Sequence, residues 1–243
     1  MTAYDALLAA AGLGAGALAS VVGFGIGSML TPVLALSAGT KVAVAAVSIP
    51  HLVGTALRFS QLYRHVDWRV FFTFGLVSAA GGLLGAILHT QSDGSSLAIL
   101  FGALLILVAI SELTGFSRRI RFDGPLAWVA GLVSGLLGGL VGNQGGIRSG
   151  ALMGFHMKRD AFVGTATAIG LVIDAVRMPI YFATDRDAVT AIWPAVAIAT
   201  AGVVVGTLAG KRLLARVPEA WFHTIVAVVL FVLGTVMLIR GAA

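Results

Sequence analysis

Cysteine is absent from this chain of 243 residues, which excludes disulfides, thiolate metal sites and cysteine nucleophiles. Charge is scarce as well. Asp, Glu, Lys and Arg make up 11% of the residues, against about 25% in an ordinary soluble domain. There is no HExxH motif and no serine with a paired base, so the groups that hydrolysis needs are missing and no enzyme is expected. Neither a cofactor nor a metal is implied. Met1 to Asp5 lacks the positive n-region of a signal peptide and carries an acid instead, so this segment is expected to be retained.

What fills the chain is apolar: 58% of the residues are hydrophobic and the mean hydropathy is +1.01. A water-soluble fold is thereby set aside in favour of an all-α integral membrane protein whose first partner is the lipid bilayer. Apolar runs at 42–62, 69–90, 96–115, 161–182, 189–210 and 221–239 each approach the ~20 residues that cross a ~30 Å hydrocarbon core. The net charge of +6 comes from basic residues spread over short loops between these runs, which is a positive-inside bias and not a nucleic-acid surface. The 32 glycines include Gly82, Gly85 and Ala86, and Gly202, Gly206 and Gly210, whose spacing suits close helix packing. Such faces also leave room for a homo-oligomer.

The chain contains a duplication. Shifted by 119 positions, Gly12-Leu13, Gly16, Val22-Gly23 and Gly27 fall on Gly131-Leu132, Gly135, Val141-Gly142 and Gly146. Ala56 then meets Ala175 and Arg58 meets Arg177, and a shift of 121 places Gly81 and Gly85 on Gly202 and Gly206. The reading is two transmembrane repeats, 1–117 and 126–243, joined by a cytoplasmic loop at 118–125. Each repeat opens with an apolar stretch, 7–36 and 126–155, that as one helix would be about 45 Å long, more than one crossing needs. The glycine clusters Gly23-Phe24-Gly25-Ile26-Gly27 and Gly142-Asn143-Gln144-Gly145-Gly146 lie where a break is cheapest.

Loop charges separate a re-entrant hairpin from a straight, kinked crossing. With hairpins, Arg64, Arg69, Arg118, Arg119, Arg121, Lys158, Arg159, Lys211, Arg212 and Arg216 are cytoplasmic, leaving Lys41, Arg186 and Arg240 outside, ten against three. Straight crossings give seven against six, which is no bias. Each half is therefore read as a broken helix or re-entrant hairpin plus three transmembrane helices. Three full crossings per half make the repeat inverted, and interrupted helices at matching places in inverted halves point to a midplane substrate site.

Half-helices starting at Ser28 and Ile147 would aim their N-termini, and free amides, at an anion near the centre. A nucleotide-binding reading of the glycines fails, because no strand precedes them and no Walker lysine follows. The next helix in each half carries a polar stripe, Ser48, His51, Thr55 and Arg58 in the first and Thr167, Gly170, Asp174 and Arg177 in the second, matched at the same offset. Arg58 and Arg177 act at the site or snorkel to the headgroups. Arg148 follows the second tip, deep in apolar sequence, and needs a negative partner: Asp174 in an ion pair, or a bound anion. Asn143 and Gln144 donate to an oxyanion or cap the turn locally. His51 carries a proton or simply packs. Glu112 is read as solvated, and His65, His89, His156 and His223 as loop or interface residues.

With its doubled stretches, Gly12-Leu13-Gly14-Ala15-Gly16 to Gly23-Phe24-Gly25-Ile26-Gly27-Ser28-Met29-Leu30-Thr31-Pro32 and Gly131-Leu132-Val133-Ser134-Gly135 to Gly142–Gly146, the chain resembles the TauE/SafE family of sulfite and organosulfonate exporters, also called the toluenesulfonate uptake permease family. The resemblance implies movement of small sulfur oxyanions across the bacterial cytoplasmic membrane. The second tip departs from the pattern in Asn143-Gln144 and Arg148, and no proline there matches Pro32. Thiosulfate carriers of the family look cysteine-dependent, so the implied cargo is sulfite or an organosulfonate. The substrate-binding set is Gly23, Phe24, Gly25, Gly27, Ser28, His51, Thr55, Arg58, Gly142, Asn143, Gln144, Gly145, Gly146, Arg148, Asp174 and Arg177. A passive small-anion channel, or a carrier of another small organic anion, would use the same residues.

Overall fold

The computed structural model describes residues 2–115, 124–143, 145–214 and 219–242. Gln144, Arg216 and all but the last two residues of the expected joint 118–125 lie outside the described residues. The described chain is helical, with no strand: α1 (Ala3–Val22), α2 (Ile26–Ala38), α3 (Thr40–Leu62), α4 (Trp68–Gln91), α5 (Gly94–Thr114), α6 (Pro125–Val141), α7 (Gly145–Met153), α8 (Arg159–Ala191), α9 (Trp193–Leu214) and α10 (Glu219–Ala242). Seven of them are long and apolar enough to cross a membrane. The six expected runs are all there, and α1 is the seventh.

Local chemistry sets the helix ends. Thr2 and Asp5 form a reciprocal capping box at the start of α1, each side chain accepting from the other's backbone N–H at 3.2 and 2.7 Å. Pro125 opens α6, where its missing N–H costs nothing. α1 stops at Gly23 (φ 86°) and α6 at Gly142 (φ 73°), left-handed caps whose N–H groups return to Ala19 and Gly138 at 2.9 and 3.0 Å. A side chain is strained at that φ, so glycine ends both helices. The two caps are 119 residues apart, the repeat offset. Past each cap the helix restarts at Ile26 and Gly145, two residues earlier than the expected Ser28 and Ile147. Gly27 and Gly146 are thus helical, and the breaks are shorter than the glycine clusters.

The first break reverses the chain. Leu18 covers Gly25, Met29 reaches Gly14, and near the open end Tyr4 Oη lies 2.6 Å from Ser37 Oγ. Such pairing requires α2 to run back along α1. The second break behaves alike, since Phe74 of α4 packs on Gly131 near the start of α6 and on Phe155 just beyond α7, ring centroids 6.2 Å apart in the latter pair.

Glycine faces bring the helices together. Gly12 and Gly16 of α1 meet Gly202, Val203 and Thr207 of α9, and Gly206 and Gly210 pack on Leu13 and Ala17 in return, so α1 and α9 run parallel. α4 and α6 do the same, with Gly81 and Gly85 against Leu132 and Leu136 and with Gly135 and Gly139 against Ser78 and Gly82. A methyl group at these positions would collide with backbone, so contact at this distance depends on having none. α5 and α10 pack antiparallel, Gly102 on Gly234 and Ile99 on Gly241. α3 and α8 are antiparallel too, because Leu62 faces Gly164, Thr55 faces Gly170 and His51 faces Asp174.

Contacts also sort the loop charges. Lys41 Nζ donates to Thr90 and Ser92 carbonyls at 2.8 and 3.0 Å, and Arg240 donates to Ala35 and Leu36 at 2.6 and 3.2 Å. Lys41, Arg240, Ser37 and Tyr4 therefore share one end of the bundle. At the other end Asp67 N–H donates to Thr165 Oγ1 at 2.8 Å, which draws the Arg64 turn to the start of α8 near Lys158 and Arg159. A straight crossing would separate Lys41 from Arg240 and Arg64 from Lys158.

Two expectations need correction. Arg186 is not in a loop, because α8 continues through it to Ala191; at 33 residues this helix is about 50 Å long and outlasts a ~30 Å core. His89 is not a loop or interface residue but fully buried in the last turn of α4. His65 and His156 are exposed as expected, Glu112 is half-buried, and the side chain of His223 lies outside the described residues.

Two measurements test this arrangement. In the naturally cysteine-free chain, Lys41→Cys and Arg240→Cys are expected to react with an impermeant maleimide from one side of intact cells and Arg64→Cys from the other. Gly206→Leu is expected to destabilise the α1/α9 pair by at least about 1–3 kcal/mol in detergent unfolding, the scale of an overpacked interface.

Candidate functional site

The two breaks meet. Ser28 Oγ donates to Asn143 Oδ1 at 3.2 Å, and Arg148 Nη2 lies 3.4 Å from the Gly23 carbonyl, so the first turn of each short helix touches the opposite tip. At Gly27 the place of a side chain is taken by the Gly142 carbonyl, and at Gly145 by the ring of Phe24, itself 7% exposed. These glycines let one tip enter the other. The tip residues Gly23, Phe24, Gly25, Gly27, Ser28, Gly142, Asn143, Gly145 and Arg148 are thus gathered in one place.

The polar stripes of α3 and α8 converge beside them. Asp174 sits between His51 and Arg177: its Oδ2 lies 2.6 Å from His51 Nδ1, and its Oδ1 accepts from Arg177 Nε and Nη2 at 3.0 and 2.8 Å. An ionised carboxylate can only accept, so the pairing of Asp174 with Arg177 assigns the proton of this contact to His51 Nδ1. Gly170 leaves room on α8 for the Arg148 guanidinium and for the Thr55 methyl of α3, both of which approach it. Arg58 reaches Thr55 Oγ1 at 3.4 Å. All six residues, His51, Thr55, Arg58, Arg148, Asp174 and Arg177, are buried, none more than 6% exposed.

This burial overturns the snorkelling reading of Arg58 and Arg177, which are 3% and 1% exposed. It bears as well on the two partners considered for Arg148. Asp174 is taken by His51 and Arg177, and among the described residues no carboxylate lies within salt-bridge reach of Arg148 or Arg58. Nε and Nη1 of both arginines are buried with no hydrogen-bond partner, as is the hydroxyl of Thr167. Four of these unmet atoms are guanidinium nitrogens, which can only donate, and that calls for an acceptor.

The two halves use matched residues differently. Arg177 donates through Nη1 to the Gly138 carbonyl at 2.7 Å, Tyr181 Oη to Gly139, and His89 Nδ1 to Leu140 at 2.8 Å. Three consecutive carbonyls at the C-terminus of α6 are thereby capped, that of Gly138 in addition to the bond it accepts from the Gly142 N–H. In the first half the residue matching Asp174 is Thr55, and among the described residues Arg58 has no carboxylate in salt-bridge reach. Sequence reading missed Tyr181, His89 and Thr31. Tyr181 continues the α8 stripe one turn past Arg177 and was within reach of the pattern. Thr31, fully buried with a partnerless hydroxyl close to Gly142, gave no periodic signal.

Charge substitutions separate the paired from the unpaired groups. Asp174→Asn is expected to cost about 3–5 kcal/mol in unfolding of the anion-free protein, since it strands Arg177. Arg58→Gln, which removes a charge with no partner, is expected to leave that stability unchanged or raise it.

Comparison with known proteins places these features. The family model described as "Sulfite exporter TauE/SafE" matches residues 8–237, nearly the full chain, both tips and both stripes included. No curated protein and no solved structure gives a significant match. With a match of that extent over an all-helical bundle with seven apolar helices of spanning length, the chain belongs to the sulfite exporter TauE/SafE family, a family of membrane transporters and not of enzymes.

Proposed function

We propose that this protein is a secondary transporter, an exporter of small sulfur oxyanions such as sulfite or an organosulfonate across the bacterial cytoplasmic membrane, and that its cargo binds beside the two meeting tips. The observation that carries the reading is the pair Arg58 and Arg148, buried with free donors and with no carboxylate in salt-bridge reach among the described residues. An unpaired arginine at membrane depth costs at least ~2.5–3.5 kcal/mol on insertion scales. A bound anion repays that cost, and its absence leaves the site strained electrostatically. Ligands in this reading are Arg58, Arg148, Thr55, Ser28 and Asn143, with amides of the first turns of α2 and α7; Arg177 and Asp174 hold the second tip and orient His51.

The halves, 1–117 and 126–243, are read as an inverted repeat. Support comes from the antiparallel course of the matched helices α3 and α8, and from the reciprocal pairs α1 with α9 and α6 with α4. Two structurally equivalent halves around one site can rock against each other and open it to either side in turn.

The test is anion-dependent thermal stabilisation of the detergent-solubilised protein, with sulfite or sulfate as ligand. Stabilisation is expected in the wild type and its loss in Arg148→Ala, with parallel loss of sulfite efflux from proteoliposomes. An unfolding temperature indifferent to every sulfur oxyanion would end the proposal.

A further inference from the structure

The charges around the tips can be balanced against one another, and the balance restricts the guest. Three guanidiniums, those of Arg58, Arg148 and Arg177, and one carboxylate, that of Asp174, lie together and are buried. Asp174 is matched one to one by Arg177, at 2.8 Å. Two positive charges remain. α2, which packs against α3, has no charged residue in its sequence Ile26–Ala38 to offset them. Protonation of the second nitrogen of His51 would add a third positive charge, so under either state of that ring a singly charged guest leaves the pocket positive. In a medium that screens poorly the residual charge is costly.

From this we infer that the site is built for a doubly charged oxyanion, one held by both Arg58 and Arg148, in preference to the singly charged sulfonates of similar size. The inference rests on the functional reading above and narrows it. Geometry agrees with the charge count. The free donors are spread over two side chains on different helices, Arg58 of α3, which donates to Thr55 Oγ1 at 3.4 Å, and Arg148 of α7, and both Arg148 and Thr55 approach Gly170 of α8. A small ion with oxygens on several sides meets donors arriving from several directions. A sulfonate presents oxygens on one side only and an apolar group on the other, which would be set against buried polar atoms that remain unsatisfied. The repeat supplies the reason for the excess: at the position where the second half has Asp174 the first has Thr55, so one of the two matched arginines loses its counter-ion.

The experiment compares two permanently dianionic probes, sulfate and thiosulfate, with permanently monoanionic methanesulfonate. Binding to the full-length protein in detergent is measured by calorimetry at constant ionic strength. The dianions are expected to bind at least roughly tenfold more tightly, the factor that corresponds to ~1.4 kcal/mol. Arg58→Gln is expected to abolish that preference by weakening the dianions far more than methanesulfonate, and Arg58→Lys, which keeps the charge, to retain most of it. Methanesulfonate binding as tightly as the dianions in the wild type would overturn the inference and leave an anion transporter standing. Binding of neither class would overturn the functional reading itself. Retention of the dianion preference in Arg58→Gln would overturn the role given to Arg58.

Discussion

An uncompensated positive charge in a place that water and lipid do not reach is the constraint from which the rest of this structure can be understood. Arg58 and Arg148 are 3% and 2% exposed, and neither has a carboxylate in reach among the described residues. A fold selected only for stability would replace or pair them, because isolated buried charge is among the most expensive features a protein can keep. Asp174 shows that pairing was available. It neutralises Arg177, fixes the orientation of His51, and through Arg177 secures a carbonyl of the second tip. One matched arginine has become structure and the other has been left reactive.

Holding two arginines in that state requires a scaffold that stays rigid around them, and glycine supplies it in two distinct ways. At Gly23 and Gly142 it ends a helix in a left-handed conformation, which opens the chain in mid-bundle. Along α1, α9, α4 and α6 it removes side chains from the contact, so backbones pack at the distance only glycine allows. Broken backbone inside a membrane survives where protein covers it. Here each break is covered by the other: Phe24 lies on Gly145, the Gly142 carbonyl on Gly27, and Asn143 accepts from Ser28. Carbonyls left over at the end of α6 are met by Arg177, Tyr181 and His89.

Membership of the sulfite exporter TauE/SafE family and this geometry bear on each other. The family implies a class of cargo, and in the proposed site the free donors would give an oxyanion a physical reason to stop. The asymmetry between halves matters for a carrier, since a perfectly symmetric pair of tips would hold two opposed carboxylates or none. With Thr55 at the position that matches Asp174, the charge around the tips is one-sided although Arg58 and Arg177 match at the repeat offset.

Much was legible in the residues alone. Hydrophobic runs separated by sparse charge specify spanning helices whatever their neighbours, because lipid judges each segment by its own composition. The duplication, the two helix breaks and the loop charges, ten against three, are likewise written in order along the chain and required no knowledge of contacts. Glycine spacing announced the close-packed faces. What the sequence left open were the choices between partners distant in the chain: whether Arg148 faced Asp174 or a guest, whether Arg58 and Arg177 snorkelled, and whether His89 lay at an interface. Arg148 and Gly170, Arg177 and Gly138, His89 and Leu140 come together only through the stacking of four helices. Electrostatic pairing depends on distances of a few ångströms that periodicity cannot supply, so only the tertiary structure decided which charges among the described residues are paired within the protein and which are not.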